Sequence, residues 1–486
     1  MKVLFITAEM FPFSKVGGLG DVAGALSEAL AKMGIDVRVI TPAYGIIDRE
    51  KFALKKTDLC FKEVVGNKEQ ICTILSWESP ENKNLQVYFL ENEQYYAGRN
   101  VYCDDGGLTY ADNHERFLLL SKAALALPTH LRWKPDILHC HDNHAALVPV
   151  YLKNVPDYES YYANSRTLLT LHNIAYQGMI SMENKPLLDL PDDLFLPMGA
   201  LEWWGRINPL KAGIIYADGV NTVSPTHALE LMKDETVNAG MGGVLRSRKS
   251  PVEGILNGAD YDEWDPGKDS LIYQTYSLEN LKGKLVNKKT LIKDFNLKAE
   301  LVTKPLICMI SRLVEQKGID ILLPSMEQLL ALDAGMIILG CGDDVYHTAF
   351  EDFAKRFPRK FCFLSGFKQK MAHQILAGSD LFLMPSRYEP CGIAQMNALK
   401  YGTVPVVHKT GGLADTVFQW TTKKGNGFLF EDYSAEALIK TVKKAIQVYK
   451  DKERWQRLML NGMRTEYSWS KSAASYSKLY SRLLKS

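Results

Sequence analysis

Residues 15–22 have the sequence KVGGLGDV, with three glycines inside four positions. An apolar run at residues 3–7 comes before this stretch and predicts a first strand, and a periodic apolar run at 22–33 predicts a first helix. Glycines just before a helix leave backbone N–H groups that an anion can approach closely, and Lys15 adds a mobile positive charge. The stretch therefore predicts a phosphate-binding loop in an α/β fold.

The composition limits the class of protein. At 486 residues the chain exceeds the size of one ordinary core, so two or three domains are expected. The 58 Lys and Arg residues nearly balance the 56 Asp and Glu residues, which argues against a nucleic acid or an anionic membrane as partner. The sequence shows no signal segment and no apolar span of membrane length, so a cytoplasmic protein is expected.

The order of apolar runs indicates the architecture. Strand-like runs alternate with helical runs for most of the length, which predicts parallel sheets with helices on both faces. Two such series predict two doubly wound, Rossmann-like domains facing a central cleft, with a boundary in the turn-forming segment at 254–266. Residues 45–110 break the rhythm and predict an insertion. An eightfold barrel is the alternative architecture.

The glycine loop has two other interpretations. Gly18, Gly20 and Ala23 formally match the dinucleotide fingerprint, which makes an NAD-dependent oxidoreductase the first of them. Gly17 lies ten positions after the predicted strand, however, and the expected acidic residue is missing after the second strand. A flexible surface turn is the second interpretation. A clamp for a phosphate or a sugar is favoured.

The second half of the chain offers a similar loop and two cations. The glycine pair Gly411-Gly412, preceded by Thr410, follows a predicted strand at 404–408 and opens a helix. Arg312 and Lys317 follow another predicted strand, where they would neutralise a diphosphate; an ordinary solvated loop is the alternative. The sequence has no Gly-x4-Gly-Lys-Ser/Thr motif, so a P-loop NTPase is not supported.

Polar residues follow three more predicted strands. Glu389 comes after the strand that ends near 385, where a carboxylate could bind sugar hydroxyls or ribose, or could merely cap a helix. Residues 139–144, HCHDNH, suggest a zinc site, but the aspartate stands one position early for that pattern. Asp142, at a strand end, is the better ligand-binding candidate, and His172 with Asn173 ends the next strand in the same way.

Taken together, these motifs resemble the bacterial glycogen synthases and the plant starch synthases. They run in the same order over essentially the whole chain, which makes the resemblance much more specific than one glycine motif. The matching segments are 15–22, 172–178, 211–213, 223–225, 256–258, 311–313, 317–318, 389–392 and 400–415.

The resemblance implies an activity and a domain layout. It implies a metal-independent, retaining glycosyltransferase of GT-B architecture, without a cofactor, that transfers glucose from ADP-glucose to an α-1,4-glucan. It also implies an acceptor-side domain at 1–255, a nucleotide-sugar domain at 256–466 and a terminal helix at 467–486 that returns to the first domain. A related transferase using UDP-glucose or a small acceptor, a pyridoxal-phosphate glucan phosphorylase, which would be much longer, and a non-catalytic glucan-binding protein are the alternatives.

The resemblance assigns roles to the candidate residues. Arg312 and Lys317 would stabilise the leaving diphosphate, and His172, Asp142 and Glu389 would surround the transferred glucose. One of two neighbouring tyrosines would stack on the adenine. The residues assigned to substrate binding are Lys15, Gly17, Gly18, Tyr95, Tyr96, Asn173, Cys391, Gly392, Thr410, Gly411 and Gly412. Asn143 departs from the family, since bacterial synthases commonly have tryptophan there.

Overall fold

The chain folds into two compact units. The computed structural model describes residues 1–366 and 368–486, and it places Met1–Gly258 with Trp469–Ser486 in the first unit and Ala259–Ser468 in the second. The division falls directly after Asn257-Gly258, inside the turn-forming segment. Both units contain a parallel-stranded sheet, so the α/β class is confirmed. None of the helices described is long and apolar enough to cross a membrane.

The first unit is built on a large twisted sheet. Its strands are β1 (Lys2–Ile6), β2 (Asp36–Pro42), β3 (Lys55–Val65), β4 (Lys68–Glu78), β5 (Leu85–Glu91), β6 (Ile137–His141), β7 (Arg166–Leu171), β8 (Ile180–Ser181), β9 (Glu202–Trp203), β10 (Arg206–Ile207), β11 (Gly219–Thr222) and β12 (Glu253–Gly254). Nine of them form the main sheet in the order β12-β11-β7-β6-β1-β2-β5-β4-β3, and β8, β10 and β9 form a small separate sheet.

Nine helices accompany these strands before the chain leaves the first unit. They are α1 (Gly18–Lys32), α2 (Asn113–His130), α3 (Asp142–Ala145), α4 (Leu147–Asn154), α5 (Pro156–Tyr161), α6 (Pro209–Tyr216), α7 (Pro225–Lys233), α8 (Glu235–Asn238) and α9 (Gly242–Arg246). Short 3-10 turns lie at Met182–Leu187 and Asp192–Phe195. Helix α1 begins four residues before the helix predicted at 22–33, because its first turn contains two glycines and carries little apolar signal.

The segment predicted as an insertion extends the main sheet. Strand β5 pairs in parallel with β2, from Val37 opposite Leu85 to Pro42 opposite Leu90. Strands β3 and β4 then continue the sheet as antiparallel neighbours. The regular rhythm is lost because antiparallel strands follow each other through short turns and need no crossover helix.

The second unit repeats the α/β plan with a six-stranded parallel sheet. Its strands are β13 (Leu306–Leu313), β14 (Gly335–Gly342), β15 (Phe361–Ser365), β16 (Leu381–Met384), β17 (Val404–His408) and β18 (Phe428–Phe430), in the order β15-β14-β13-β16-β17-β18. Its helices are α10 (Lys282–Asp294), α11 (Ile319–Leu322), α12 (Met326–Ala331), α13 (Asp344–Arg356), α14 (Gln369–Gly378), α15 (Ala394–Lys400), α16 (Gly411–Thr416), α17 (Ala435–Tyr449) and α18 (Lys452–Arg464), with 3-10 turns at Ala299–Val302, Glu315–Lys317 and Leu323–Ser325.

The last helix, α19 (Trp469–Leu483), belongs to the first unit. Two of its tyrosines are fully buried among the central strands. The Tyr480 hydroxyl lies 2.8 Å from Nδ1 of His139, and the Tyr476 hydroxyl accepts a hydrogen bond of 3.1 Å from Asn221. These buried polar contacts fix the helix, since breaking one leaves a buried group without a partner.

The strand order determines where the candidate residues lie. In a parallel sheet all carboxyl ends reach the same edge, and ligands of open α/β sheets bind there. In the first unit the adjacent strands β1, β6 and β7 end before the glycine loop, Asp142 and His172. In the second unit β13 carries Arg312 one residue before its end, and β16 and β17 end before Glu389 and Thr410. Each unit therefore gathers its own set of candidate residues at one edge.

A buried ion pair stabilises the start of the second unit. His373 Nδ1 lies 2.8 Å from Asp269, which also accepts a hydrogen bond of 2.5 Å from the Tyr401 hydroxyl. The Trp264 ring stacks on the His373 ring at 3.8 Å. Burial acts to lower the pKa of His373, but the neighbouring carboxylates of Asp269 and Glu263 raise it to about 9. The imidazolium form is therefore favoured in the folded protein.

This ion pair predicts a pH-dependent stability. Because the pKa of His373 is raised on folding, its contribution is complete below the unfolded pKa of about 6.5 and is lost as the pH rises to about 9. We expect the unfolding free energy of the wild type to fall more steeply between pH 6.5 and 9 than that of His373→Gln. Urea unfolding across this range measures the difference. Parallel pH profiles for the two proteins would contradict the assignment.

Candidate active site

The glycine loop connects β1 to α1 and is packed around a carboxylate. Glu9 is buried, and its Oε2 atom accepts hydrogen bonds from the backbone N–H groups of Val16 at 2.5 Å and Gly17 at 2.9 Å. Lys15 is exposed and its ammonium pairs with Asp21 at 2.7 Å. The loop is therefore already ordered by an internal anion, and the N–H groups of Val16 and Gly17 already have an acceptor.

Gly17 and Gly18 have unfilled space beside them. A Cβ atom on either would meet no atom within 4 Å, and neither residue has a positive φ. The next glycines differ, because a Cβ on Gly20 would lie 3.2 Å from the Ser14 carbonyl oxygen and one on Gly24 would lie 2.3 Å from that of Phe11. The fold therefore requires glycine at 24, but nothing in the first unit requires it at 17 or 18.

Asp142 and His172 meet at the ends of β6 and β7. Asp142 has a left-handed backbone, with φ of 55°, and its side chain accepts hydrogen bonds from the backbone N–H groups of His172 at 2.7 Å and Asn173 at 3.4 Å. Burial raises the pKa of Asp142 to about 7, although the two N–H groups act in the opposite direction. The structure thus brings these three predicted residues together around a carboxyl group that titrates near neutrality.

The imidazole of His172 is neutral at physiological pH. Burial lowers its pKa to about 3, and its Nε2 atom lies 2.9 Å from Nδ1 of His141. A neutral imidazole can donate or accept a hydrogen bond but does not act as a cationic acid. His172 is therefore suited to holding a hydroxyl group.

Asn143 shapes the loop that carries His172. Its side-chain amide donates a hydrogen bond of 3.0 Å to the carbonyl of Tyr176, and its Oδ1 atom lies 2.7 Å from where a Cβ on Gly178 would stand. Gly178 has a φ of 69°, a left-handed conformation that favours glycine. Asn143 and Gly178 together fix the turn that follows His172.

In the second unit, Glu389 and Lys317 form a buried ion pair. The Lys317 ammonium lies 2.6 Å from Glu389 Oε2, which also accepts a hydrogen bond of 3.0 Å from the Ser386 hydroxyl. Gly318 allows the two loops to approach, since it has a φ of 78° and a Cβ there would lie 2.0 Å from the Pro385 carbonyl oxygen. The end of β13 and the end of β16 are therefore joined by one carboxylate.

Arg312 carries a positive charge that is not committed within the described residues. It lies near the end of β13 and is exposed, and its guanidinium forms no hydrogen bond or ion pair with any side chain or carbonyl in residues 1–366 or 368–486. A guanidinium in this state offers a planar set of donors to a phosphate. Arg312 is therefore well suited to bind an external anion.

The glycines of the second loop are required by the fold. Gly411 and Gly392 have φ values of 43° and 73°. A Cβ on Gly412 would lie 2.2 Å from the Cys391 carbonyl oxygen, and the Gly412 N–H donates a hydrogen bond of 3.0 Å to the Glu389 carbonyl. These residues lock the start of α16 against the segment that carries Glu389.

Comparison with known proteins identifies the family. Residues 2–247 match the model described as "Starch synthase catalytic domain", and residues 292–458 match "Glycosyl transferases group 1". The glycogen synthase of Geotalea uraniireducens is 40% identical over 482 residues, covering 99% of this chain and 98% of that protein. The glycogen synthase of Thermotoga maritima is 40% identical over 491 residues, covering 100% and 99%. This chain belongs to the glycogen synthase family.

Solved structures agree with this assignment. The catalytic domain of starch synthase IV from Arabidopsis thaliana, bound to ADP and acarbose, has a TM-score of 0.91 and 32% identity and is matched over 100% of this chain and 99% of that one. Sucrose-phosphate synthase from Thermosynechococcus elongatus, with a TM-score of 0.60 and 17% identity, shares the fold alone. The predicted GT-B architecture and the predicted glycosyltransferase class are confirmed: this is a glucan-synthesising glycosyltransferase.

Three residues assigned to substrate binding are buried in this member of the glycogen synthase family. Tyr95 and Tyr96 are each 0% exposed, and their hydroxyls bond to Glu115 and to the Arg116 carbonyl. In this arrangement neither ring has an accessible face for stacking on a base, and the adenine contact stays a prediction. Cys391 is also buried, and its carbonyl packs beside Gly412.

Other residues of the site were not found from the sequence. Glu9, Tyr102 and Ser386 all contact the carboxylates or loops described above. Ser386 had a detectable signal, because it is a polar residue just beyond a buried strand. Glu9 and Tyr102 had none, since they lie 93 positions apart in the chain.

The metal-site interpretations find no support in the side-chain geometry of the described residues. His139 is bonded to Thr170 at 2.6 Å and to Tyr480, so it supports the fold. No group of three or more His, Cys, Asp or Glu side chains is arranged to hold a metal ion, for all residues except 367. The sequence Asp260-Tyr261-Asp262 has the spacing of a metal-binding Asp-x-Asp motif, but Asp260 accepts hydrogen bonds from the N–H groups of Asp262 and Glu263 and so forms a turn.

The buried carboxyl of Asp142 predicts an increase in stability on neutralisation. Its pKa is raised on folding to about 7, so the stability present below the unfolded pKa of about 3.8 is lost as the pH rises through 7. Asn tolerates the left-handed backbone and keeps an acceptor oxygen. We expect Asp142→Asn to be about 1–3 kcal/mol more stable than the wild type at pH 8, with little gain at pH 4.

Urea unfolding at the two pH values measures this gain. Asp142→Ala serves as the control, because it also removes the charge but leaves the N–H groups of His172 and Asn173 without an acceptor. Equal stability of wild type and Asp142→Asn at pH 8 would contradict a costly buried charge.

Proposed function

We propose that this enzyme extends an α-1,4-glucan with glucose from ADP-glucose, releases ADP and retains the anomeric configuration. The observation that carries the proposal is the uncommitted guanidinium of Arg312 near the end of β13, the strand that precedes the loop of Lys317. The match to a starch synthase solved with ADP and acarbose supports the choice of donor and acceptor. Breaking the anomeric bond expels a nucleoside diphosphate, and a preformed cation stabilises that growing charge most effectively.

Each side chain has a part in the proposed reaction. Arg312 and Lys317 stabilise the diphosphate, while neutral His172 and the carboxyl of Asp142 hold and stabilise the glucosyl group as it gains oxocarbenium character. Glu389 Oε2 is engaged by Lys317 and Ser386, and these contacts reduce its nucleophilicity. This favours a positioning role for Glu389, with same-face attack and transfer of the acceptor's proton to the leaving phosphate, over a covalent intermediate.

Lys15, Gly17 and Gly18 are assigned to the same donor. The open space beside both glycines has no explanation inside the first unit. A phosphate or sugar that comes within van der Waals distance of the backbone would explain it, because a Cβ would then occupy the ligand's place.

A donor assay tests the proposed function. Purified protein incubated with glycogen and labelled ADP-glucose, without added metal, should lengthen chains and release ADP. In competition, we expect ADP-glucose to be preferred over UDP-glucose by ~10-fold or more in kcat/KM. Preferred use of UDP-glucose would support the related transferase, and absence of any incorporation would support a non-catalytic glucan-binding protein.

Arg312→Ala tests the residue on which the proposal depends. Removal of this charge should lower kcat by about 100-fold or more, because Lys317 is held by Glu389 and would not take over the direct contact of the arginine. Arg454→Ala is the matched control, since Arg454 is an exposed arginine of the same unit that pairs with Asp451 at 3.1 Å. Wild-type activity of Arg312→Ala would overturn the assignment.

The open space beside Gly17 and Gly18 predicts that a side chain there weakens donor binding without weakening the fold. Gly18→Ala should raise the KM for the donor by about tenfold, while the free energy of unfolding stays the same or rises by up to ~1 kcal/mol. Gly24→Ala is the opposite control, because its Cβ would clash with the Phe11 carbonyl and should destabilise the fold by about 1–3 kcal/mol. Donor kinetics and urea unfolding of both variants check the pattern; an unchanged KM for Gly18→Ala contradicts it.

A further inference from the structure

The loop between β1 and α1 is folded around the side chain of Glu9. This residue is 3% exposed, and one carboxylate oxygen accepts the N–H groups of Val16 and Gly17. The other oxygen accepts a hydrogen bond of 2.6 Å from the hydroxyl of Tyr102. Both oxygens of Glu9 are therefore used to hold together two distant segments of the first unit.

The contacts of Glu9 determine which N–H groups of the loop remain for a ligand. The N–H groups of Val16 and Gly17 point to Glu9 and not to an incoming anion. The N–H groups that open α1, from Gly18 onwards, have no partner within a helix. With the open space beside Gly17 and Gly18, these groups and the Lys15 ammonium form the remaining ligand-facing part of the loop.

We propose that Glu9 is a positioning residue for the diphosphate of the nucleotide-sugar donor. Its carboxylate preforms the glycine loop, so that the first N–H groups of α1 and Lys15 are presented to the ligand before it arrives. The identity of the ligand rests on the proposed function, whereas the ordering of the loop rests on the contacts of Glu9 alone.

The physical reason lies in the strength and the burial of these contacts. Hydrogen bonds from N–H groups to an ionised carboxylate are short and about twice as strong as neutral ones. A buried carboxylate without donors is costly, so Glu9 and the ordered loop require each other. A loop that is ordered in advance does not lose binding free energy to its own ordering when the donor binds.

Tyr102 connects a second segment to the same carboxylate. Its ring stacks on His144 at 5.1 Å and packs beside Phe117 at 6.0 Å, so its hydroxyl is held in place by the helices α2 and α3. Because helices α2 and α3 carry these two rings, the Tyr102 hydroxyl is held where it contacts Glu9, in the rotamer that reaches the loop.

The test compares three variants of the full-length protein. Glu9→Ala removes both acceptors, while Glu9→Gln keeps one oxygen for the two N–H groups and offers its amide group to the Tyr102 hydroxyl. Glu28→Ala is the matched control, because Glu28 is a carboxylate on α1 that contacts Lys32 and Ser79 and not the loop. The measurements are the dissociation constant of ADP by calorimetry and the amide hydrogen exchange of residues 13–20.

The expected results separate positioning from general stability. Glu9→Ala should weaken ADP binding by about tenfold and raise amide exchange in the loop by a similar factor. Glu9→Gln should stay within about threefold of the wild type in both, and Glu28→Ala should match the wild type.

Several outcomes would overturn the proposal. Wild-type exchange in Glu9→Ala would show that the carboxylate does not order the loop, and faster exchange with wild-type ADP affinity would show that the ordered loop does not serve the ligand. If Glu9→Ala does not fold, Glu9→Asp replaces it: its carboxylate is one methylene shorter, and wild-type values for that variant would equally overturn the proposal. A wild-type protein that neither binds ADP nor transfers glucose would contradict the proposed function, while the exchange comparison would still test Glu9.

Discussion

A buried carboxylate must be surrounded by donors, and three loops at the edges of the two sheets are shaped by this constraint. Glu9 takes the N–H groups of the glycine loop, Asp142 takes those that follow β7, and Glu389 takes Lys317 and Ser386. Each carboxylate has at least one donor from a distant stretch of chain: Tyr102 for Glu9, His172 for Asp142 and Lys317 for Glu389. The carboxylates therefore work as cross-links between separate segments, and the shape of each loop depends on them.

The same constraint determines the electrostatics of the two sheet edges. Lys15 is paired with Asp21 and Lys317 with Glu389, so neither lysine is a bare charge. Pairs of this kind hold a cation at a fixed place before a ligand arrives, and this lowers the reorganisation needed when negative charge develops. Arg312 differs, because its guanidinium is exposed and uncommitted within the described part of the chain. In the proposed reaction the lysines would supply a fixed positive field, and the arginine would contact the diphosphate directly.

The sequence predicted the fold well because apolar runs and turn residues carry most of that information. It also indicated that Asp142 and His172 follow strands, although only the sheet order shows that β6 and β7 are neighbours. The burial of Tyr95 and Tyr96 could not be predicted from the sequence, since both tyrosines form hydrogen bonds with Arg116, about 20 positions further along the chain. The contact of Glu9 with Tyr102 was equally hidden, because it joins segments that no local pattern connects.

The two glycine loops show why a shared pattern does not imply a shared cause. Around Gly411 and Gly412 the protein itself demands glycine, through a positive φ and a carbonyl oxygen 2.2 Å from a would-be Cβ. Around Gly17 and Gly18 no such demand exists, and the space is open. Open space beside a glycine that the fold does not need is consistent with a ligand, whereas a required glycine is explained without one. By this criterion the loop of the first unit carries the stronger independent sign of a bound anion, and the helix start of the second unit is first of all a packing device for the segment that holds Glu389.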